Sequence, residues 1–154
     1  MSTVCIGVAT KLQPDNVAKC YQDLKAIADK HACGVFFEIE YQEPFLEHFR
    51  EASIVFSLSD SFVYDNCEML MLPDGCFING RSNPISFKTR MKIILDMAVY
   101  LKSYSCCLDF FLGHSGEPIE AYITYMVHQH NMLDVLELFN SDKSPHINMH
   151  ISVL

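Results

Sequence analysis

Thr3-Val4-Cys5-Ile6-Gly7-Val8-Ala9 opens the chain, and Val35-Phe36-Phe37-Glu38-Ile39-Glu40-Tyr41 follows one helix-length later. The first stretch is alternating and rich in β-branched residues, the signature of a strand. The second alternates at period two. Val35, Phe37, Ile39 and Tyr41 share one side, and Phe36, Glu38 and Glu40 the other. Between the two, Val17, Cys20, Tyr21, Leu24, Ile27, Ala28 and His31 recur at helical spacing, with Lys19, Asp23, Lys25, Asp29 and Lys30 mostly outside the stripe. Pro14 suits the first helical position, whose amide has no partner within the helix, and Asp15 suits the positive end of the helix dipole. Gly34 is placed to end that helix in a left-handed conformation. Strand, helix, strand predicts a parallel β-α-β unit and hence an α/β fold.

Outward from this opening, residues 44–51 read as a short helix or an ordered loop, and 53–58 as a strand. Residues 60–66 form a polar-edged loop carrying Phe62, Val63 and Tyr64. Pro73-Asp74-Gly75 predicts a hairpin between 67–72 and 76–79, since Gly supplies the positive φ. Ser86 is a natural N-cap for a helix carrying Phe87, Met91, Ile94, Leu95, Ala98 and Leu101 on one stripe. Residues 105–112 (Ser-Cys-Cys-Leu-Asp-Phe-Phe-Leu) read as a strand buried on both faces, and 113–116 as a tight turn. A helix is predicted from Pro118 to His130. Residues 133–139 fit helix or strand equally by period, and 141–145 read as a turn. Residues 146–153 alternate, with Ile147, Met149, Ile151 and Val153 on the core side. The expectation is one α/β domain over residues 1–154, with a mixed sheet of about six to eight strands and about three helices.

The chain has 154 residues, of which 50% are hydrophobic and 19% charged. That balance excludes a disordered chain and a coiled coil, and 6 Gly and 6 Pro exclude a collagen-like or low-complexity chain. No apolar run approaches the ~20 residues of a membrane helix. The start lacks a basic segment and a long apolar core, which predicts a cytosolic chain without a leader. The 7 cysteines (Cys5, Cys20, Cys33, Cys67, Cys76, Cys106, Cys107) are odd in number and show no C-x-x-C spacing. They read as reduced thiols, mostly buried. Cys106 and Cys107, adjacent on a strand, face opposite ways and share no metal.

Charge is unevenly placed. The net charge is −8, and residues 31–80 hold nine acids (Glu38, Glu40, Glu43, Glu47, Glu51, Asp60, Asp65, Glu68, Asp74) against the one base Arg50. The other residues carry ten acids and ten bases, so the whole net charge lies in one third of the chain. Such a field repels nucleic acid and anionic membranes and attracts basic partners. The plainer reading of the same charge is a solubility device.

No catalytic signature is complete. Gly113-His114-Ser115-Gly116-Glu117 follows a strand and precedes a helix, as a hydrolase nucleophile elbow does, but Glu117 stands where the second glycine belongs. Ser115 therefore reads as a helix cap, with Glu117 in the first turn. His128, His130, His146 and His150 lie downstream, and Asp134 is the acid placed to orient one of them. His128 and His130 diverge if helical, so a metal pair fails there; on a strand the pair would work, but no third ligand is evident. His146 and His150 line a solvated face of the last strand. Glu38 and Glu40 share a face, which suits a carboxylate pair or a solvated sheet face. A dinucleotide fingerprint, a phosphate-loop lysine and an H-E-x-x-H helix are absent, so no cofactor or metal is expected. Arg81, Lys88, Arg90 and Lys92 form the only basic cluster; a phosphate or RNA site would need a Gly-rich or aromatic-interleaved element that is absent, so they read as a solvated helix face paired to nearby acids.

Phe36, Phe45, Phe49, Phe62 and Tyr64 are interspersed among the acids. Aromatic anchors ringed by carboxylates suit a surface that binds a basic protein: rings supply desolvated contact and charges steer association. The alternative is that these rings belong to the core. The candidate partner-binding residues are Glu38, Glu40, Glu43, Glu47, Asp60, Tyr64, Asp65 and Glu68. A small, acidic, thiol-rich α/β chain with the strand Leu108-Asp109-Phe110-Phe111-Leu112-Gly113, then Ser115-Gly116-Glu117, resembles bacterial toxin-immunity proteins of the contact-dependent-inhibition and polymorphic-toxin kind. The likeness lies in architecture and charge. It implies a cytosolic, non-enzymatic inhibitor that binds one cognate toxin domain and blocks its active site or assembly. A nuclease toxin would present a basic cleft to these carboxylates. The competing expectations are a small hydrolase using Ser115 and a self-associating regulatory or scaffold subunit.

Overall fold

The computed structural model describes residues 3–31, 33–37, 51–60, 71, 74–75, 85–114, 117–140 and 148–154. In chain order these residues form β1 (Thr3–Thr10), α1 (Pro14–Lys30), β2 (Cys33–Phe36), β3 (Ile54–Asp60), α2 (Phe87–Lys102), β4 (Cys107–His114), β5 (Ile123–Val127), α3 (Met132–Leu136) and β6 (Met149–Val153). The six strands build one mixed sheet in the order β2-β3-β1-β4-β6-β5. Only β5 and β6 pair in parallel; every other neighbouring pair is antiparallel. The α/β class with a six-stranded mixed sheet and three helices is as the sequence predicts.

The opening unit differs in one respect. β1 and β2 both run against β3, so they point the same way, but β3 lies between them. The predicted β-α-β unit is therefore split, and the elements β1 to β4 with α1 and α2 follow a β-α-β-β-α-β order. The β-α-β unit with directly paired parallel strands is instead β5-α3-β6, at the other end of the sheet.

Both long helices pack on one sheet face. α1 buries Cys20, Leu24 and Ala28, and α2 buries Phe87, Met91, Ile93, Ile94, Met97, Ala98 and Leu101. Beneath them lie Cys5 and Ala9 of β1, Ile54, Phe56 and Leu58 of β3, Leu108, Phe110 and Leu112 of β4, and Met149, Ile151 and Val153 of β6. Each large side chain so buried stabilises the fold by roughly 1.5–3 kcal/mol. Gly7 is in register with both Phe56 and Phe110, whose rings meet edge to face at 6.1 Å. A Cβ on Gly7 would lie 2.1 Å from the Phe56 ring, so only glycine lets Phe56 cross β1. A smaller cluster, Ile6, Val8, Phe111 and Tyr122, occupies the face away from the helices.

Several elements depart from expectation. α1 ends at Lys30 with His31 as its cap, and Gly34 is recruited into β2 opposite Ser59. The described part of the predicted 35–41 strand is its start, with Val35 packed inward and Phe36 exposed. Met71 is helical, not extended, while Asp74-Gly75 is a turn with Gly75 at φ 79°. Gly113 and His114 belong to β4, not to a turn. The helix predicted over 118–130 is a 3-10 turn (Ile119–Ala121), the strand β5 and a second 3-10 turn (Gln129–Asn131). Ile123-Thr124-Tyr125-Met126-Val127 is β-branched and aromatic, and pairing with β6 overrides the helical period. Residues 133–139 resolve into the end of α3 and a 3-10 turn (Glu137–Asn140). No helix among the described residues is long and apolar enough to cross a membrane.

Candidate functional site

Of the predicted partner-binding residues, Glu38, Glu40, Glu43, Glu47, Tyr64, Asp65 and Glu68 lie outside the described residues, as do Phe45, Phe49, Phe62 and Ser115. Asp60 is the last residue of β3, in register with Cys33. The backbone does fix where the acidic third leaves and re-enters the sheet. β2 and β3 both belong to residues 31–80, and they are neighbours at one end. Asp74 is already engaged within the chain. Its Oδ1 accepts the Phe87 N–H at 2.8 Å, at the start of α2, and lies 3.6 Å from Arg90 Nη2.

At the opposite end, three adjacent strands place three polar side chains in one row. Asp109 comes from β4, His150 from β6 and Thr124 from β5. In register, His150 faces Phe111 on one side and Thr124 on the other, so all three polar groups share the face away from the helices. His150 Nε2 is 2.7 Å from Asp109 Oδ1, and His150 Nδ1 is 3.1 Å from Thr124 Oγ1. A carboxylate only accepts, so Nε2 carries the proton and donates to Asp109. In the neutral imidazole Nδ1 then holds the lone pair and accepts the Thr124 O–H. The Phe111 ring stacks on His150 at 4.4 Å with 1° between planes and fixes the imidazole plane. The side chains of His150 and Asp109 are 22% and 28% exposed: largely withdrawn from water, yet within reach of it. Thr124 is exposed.

The adjoining row carries Tyr122 and Asn148 over Gly113. A Cβ there would meet Asn148 Oδ1 at 2.3 Å and the Tyr122 hydroxyl at 3.0 Å, so glycine at this position is what admits them. Chemically, the row supplies a base-ready imidazole against a hydroxyl, with a carboxylate behind it.

The expectation that His150 only lines a solvated face is thus corrected: it is half-buried and bonded at both nitrogens. Asp134 is exposed, and the acid that orients His150 is Asp109. The basic cluster also changes meaning. Lys88 and Lys92 are exposed, but Arg90 is buried, donating from Nε to the Ile85 carbonyl at 2.9 Å and lying over the Phe87 ring. Burial pushes its pKa down, opposed by Asp74. His128 and His130 do not diverge. His128 precedes the 3-10 turn Gln129–Asn131 and His130 lies within it, with rings stacked at 5.6 Å, beside an open groove of about 410 Å³ that Leu95, Val99 and Leu154 help to line. Among the described residues no three His, Cys, Asp or Glu side chains cluster as metal ligands.

Between the helices, the Tyr100 hydroxyl donates to Asp23 Oδ2 at 2.6 Å, and Lys19 Nζ lies 3.0 Å from the same oxygen. Both hold the Asp23 carboxyl below its ordinary value, the tyrosine most. Burial, then the Asp23 bond, drives the Tyr100 hydroxyl well above its ordinary value. Cys5, Cys20, Cys33 and Cys106 are buried thiols and Cys107 is exposed. Burial raises the Cys106 thiol, which keeps it protonated and unreactive.

Asp109 and Thr124 were invisible as site residues in the sequence. The available signal was an acid inside the apolar run 105–112, a position that burial tolerates only with a partner. Compared with family models, with curated proteins and with solved structures, the chain finds no match in any of the three.

Proposed function

We propose that the protein is a cytoplasmic immunity-type inhibitor that binds a basic cognate toxin domain through its acidic third. Inhibition of this kind needs no chemistry, only occupation of the partner's cleft or assembly surface. One observation carries the reading: residues 31–80 hold the whole net charge of −8, and the rest of the chain is neutral. The sheet order supports it, because the two strands of that segment are neighbours at one end. Charge concentrated in one segment of the chain would steer a basic partner from a distance, and carboxylates set against its lysines and arginines would fix the register of binding.

The test is co-purification with the product of the neighbouring gene, followed by binding kinetics at two salt concentrations. Association should slow as salt rises and the Debye length contracts to ~8 Å. Reversal of Glu38 and Glu40, or of Asp60 and Asp65, should lower the on-rate, and Tyr64→Ala should speed dissociation. Unchanged rates in both reversed pairs, with circular dichroism showing folded protein, would leave the charge a solubility device and overturn the reading.

A further inference from the structure

The geometry points to a second site at the far end of the sheet: Thr124 acting as a nucleophile, with His150 as its general base and Asp109 as positioning residue, on small neutral esters. This activity is separate from partner binding. Its elements are on adjacent strands, not on loops, so the ladder itself holds their spacing. The imidazole is bonded on both sides, at 2.7 Å and 3.1 Å, and its plane is fixed by the Phe111 stack. The carboxylate on Nε2 selects the tautomer whose Nδ1 lone pair meets the Thr124 hydroxyl, the state a base must occupy before the reaction. The nucleophile is the most exposed of the three, on the outer strand of the described sheet, where an electrophile has access.

The surroundings choose the substrate class. No described residue on this sheet face is a lysine or arginine, and Asp109 places a carboxylate in the row. A phosphate ester would meet no lysine or arginine among these described residues. The apolar cluster of Ile6, Val8, Phe111 and Tyr122 adjoins the row and offers surface to an uncharged acyl chain. A short-chain carboxylic ester fits both constraints.

The reaction balances without a further reagent. Thr124 Oγ bonds to the ester carbonyl carbon while its proton passes to His150 Nδ1, and the carbonyl π pair moves onto oxygen. Collapse breaks the bond to the alcohol oxygen, which takes the proton back from Nδ1 and leaves. Water then attacks the acyl-Thr124 ester, giving its proton to Nδ1. The acyl–Oγ bond then breaks, Thr124 Oγ takes that proton back from Nδ1 and departs as the hydroxyl, and the acid is released.

The experiment uses the full chain with p-nitrophenyl acetate, and with a fluorophosphonate probe followed by peptide mapping. The expected result is a burst of nitrophenol, an adduct on Thr124, and a loss of about 10²-fold or more in kcat/KM in Thr124→Ala, the scale of positioned acid–base catalysis. Thr124→Ser should retain the adduct. Asp109→Asn should lower kcat with little change in KM, which a merely structural role would not produce. Thr124 is exposed, so its alanine variant is expected to fold, and its thermal melt checks this. Equal hydrolysis by wild type and a folded Thr124→Ala would overturn the proposal, assigning the rate to surface imidazoles. An adduct on Ser115 or another residue, with none on Thr124, would overturn it as well. Reversal of Glu38 and Glu40 should leave the adduct untouched, so failure here and failure of partner binding are read separately.

Discussion

The two ends of the sheet are built on different physics. Residues 31–80, which supply β2 and β3 at one end, carry an excess of eight negative charges, a feature visible in a residue count and felt over a Debye length. At the β6–β5 end, Asp109, His150 and Thr124 belong to the part of the chain whose charges cancel. Their arrangement exists only because two registers, β4 with β6 and β6 with β5, bring residues 26 and 41 positions apart into hydrogen-bond contact. Long-range function is written in composition; short-range chemistry is written in register.

The ends share one spine, and the largest effect should come from cutting it. Phe56 crosses β1 over Gly7 and meets Phe110 of β4, joining the β2–β3 half of the sheet to the β4–β6–β5 half. Phe56→Ala leaves a cavity that packed neighbours fill only in part, so it should cost about 3–5 kcal/mol. Denaturant unfolding measures it, and both partner binding and Thr124 labelling should fall together. If either survives in full at the midpoint of unfolding of the other, the two halves are not one cooperative unit.

Not every acid in the 31–80 segment serves the same end. Asp74 accepts the Phe87 amide at the start of α2 and faces the buried Arg90, so its charge is set against a cation of its own chain. Asp74→Ala should cost about 1 kcal/mol, as loss of a capping side chain does. It should leave the salt dependence of partner association unchanged, in contrast to reversal of Glu38 and Glu40. Stopped-flow binding beside a thermal melt distinguishes them. A change in on-rate with no change in stability would move Asp74 into the interaction surface.

How much of this the sequence carries follows the same divide. The stripes of α1 and α2, the Ser86 cap, and the alternation of Met149, Ile151 and Val153 are local patterns, and each appears where the periods place it. The Ser86 hydroxyl accepts the Thr89 amide at 3.3 Å, as an N-cap should. Pairing partners are not local. Nothing in residues 3–41 announces that β3 inserts between β1 and β2, because the partner lies beyond residue 53. The helix expected over 118–130 failed for the same reason: β5 is held by β6, whose residues follow 22 positions after Val127 begins its exit. His150 read as a bystander because its partners are distant in sequence.

The smallest expected effect separates the stability of the fold from the charge of the acidic segment 31–80. Acid discharges the carboxylates of residues 31–80 and should weaken partner binding, but it also reaches Asp23 on α1. There the Tyr100 hydroxyl, then the Lys19 ammonium, hold the carboxyl below its ordinary value of 3.8. A carboxyl whose folded value is depressed contributes its stability in full above the unfolded value, and loses it as pH falls through the folded one. Asp23 is on the surface and the pair is solvent-screened, so the contribution is small. Tyr100→Phe removes the stronger of its two partners while keeping the ring that packs against Tyr104. The variant should therefore be slightly less stable than wild type near neutral pH, and the gap should close as pH falls below 3.8. Denaturant unfolding across that range, with partner binding followed in parallel, reads both quantities. A gap that stays constant with pH would show that the hydroxyl contributes through bonds that do not depend on the charge of Asp23, such as that to Tyr104. Any acid-induced loss of stability in this window would then have to be sought at another carboxylate.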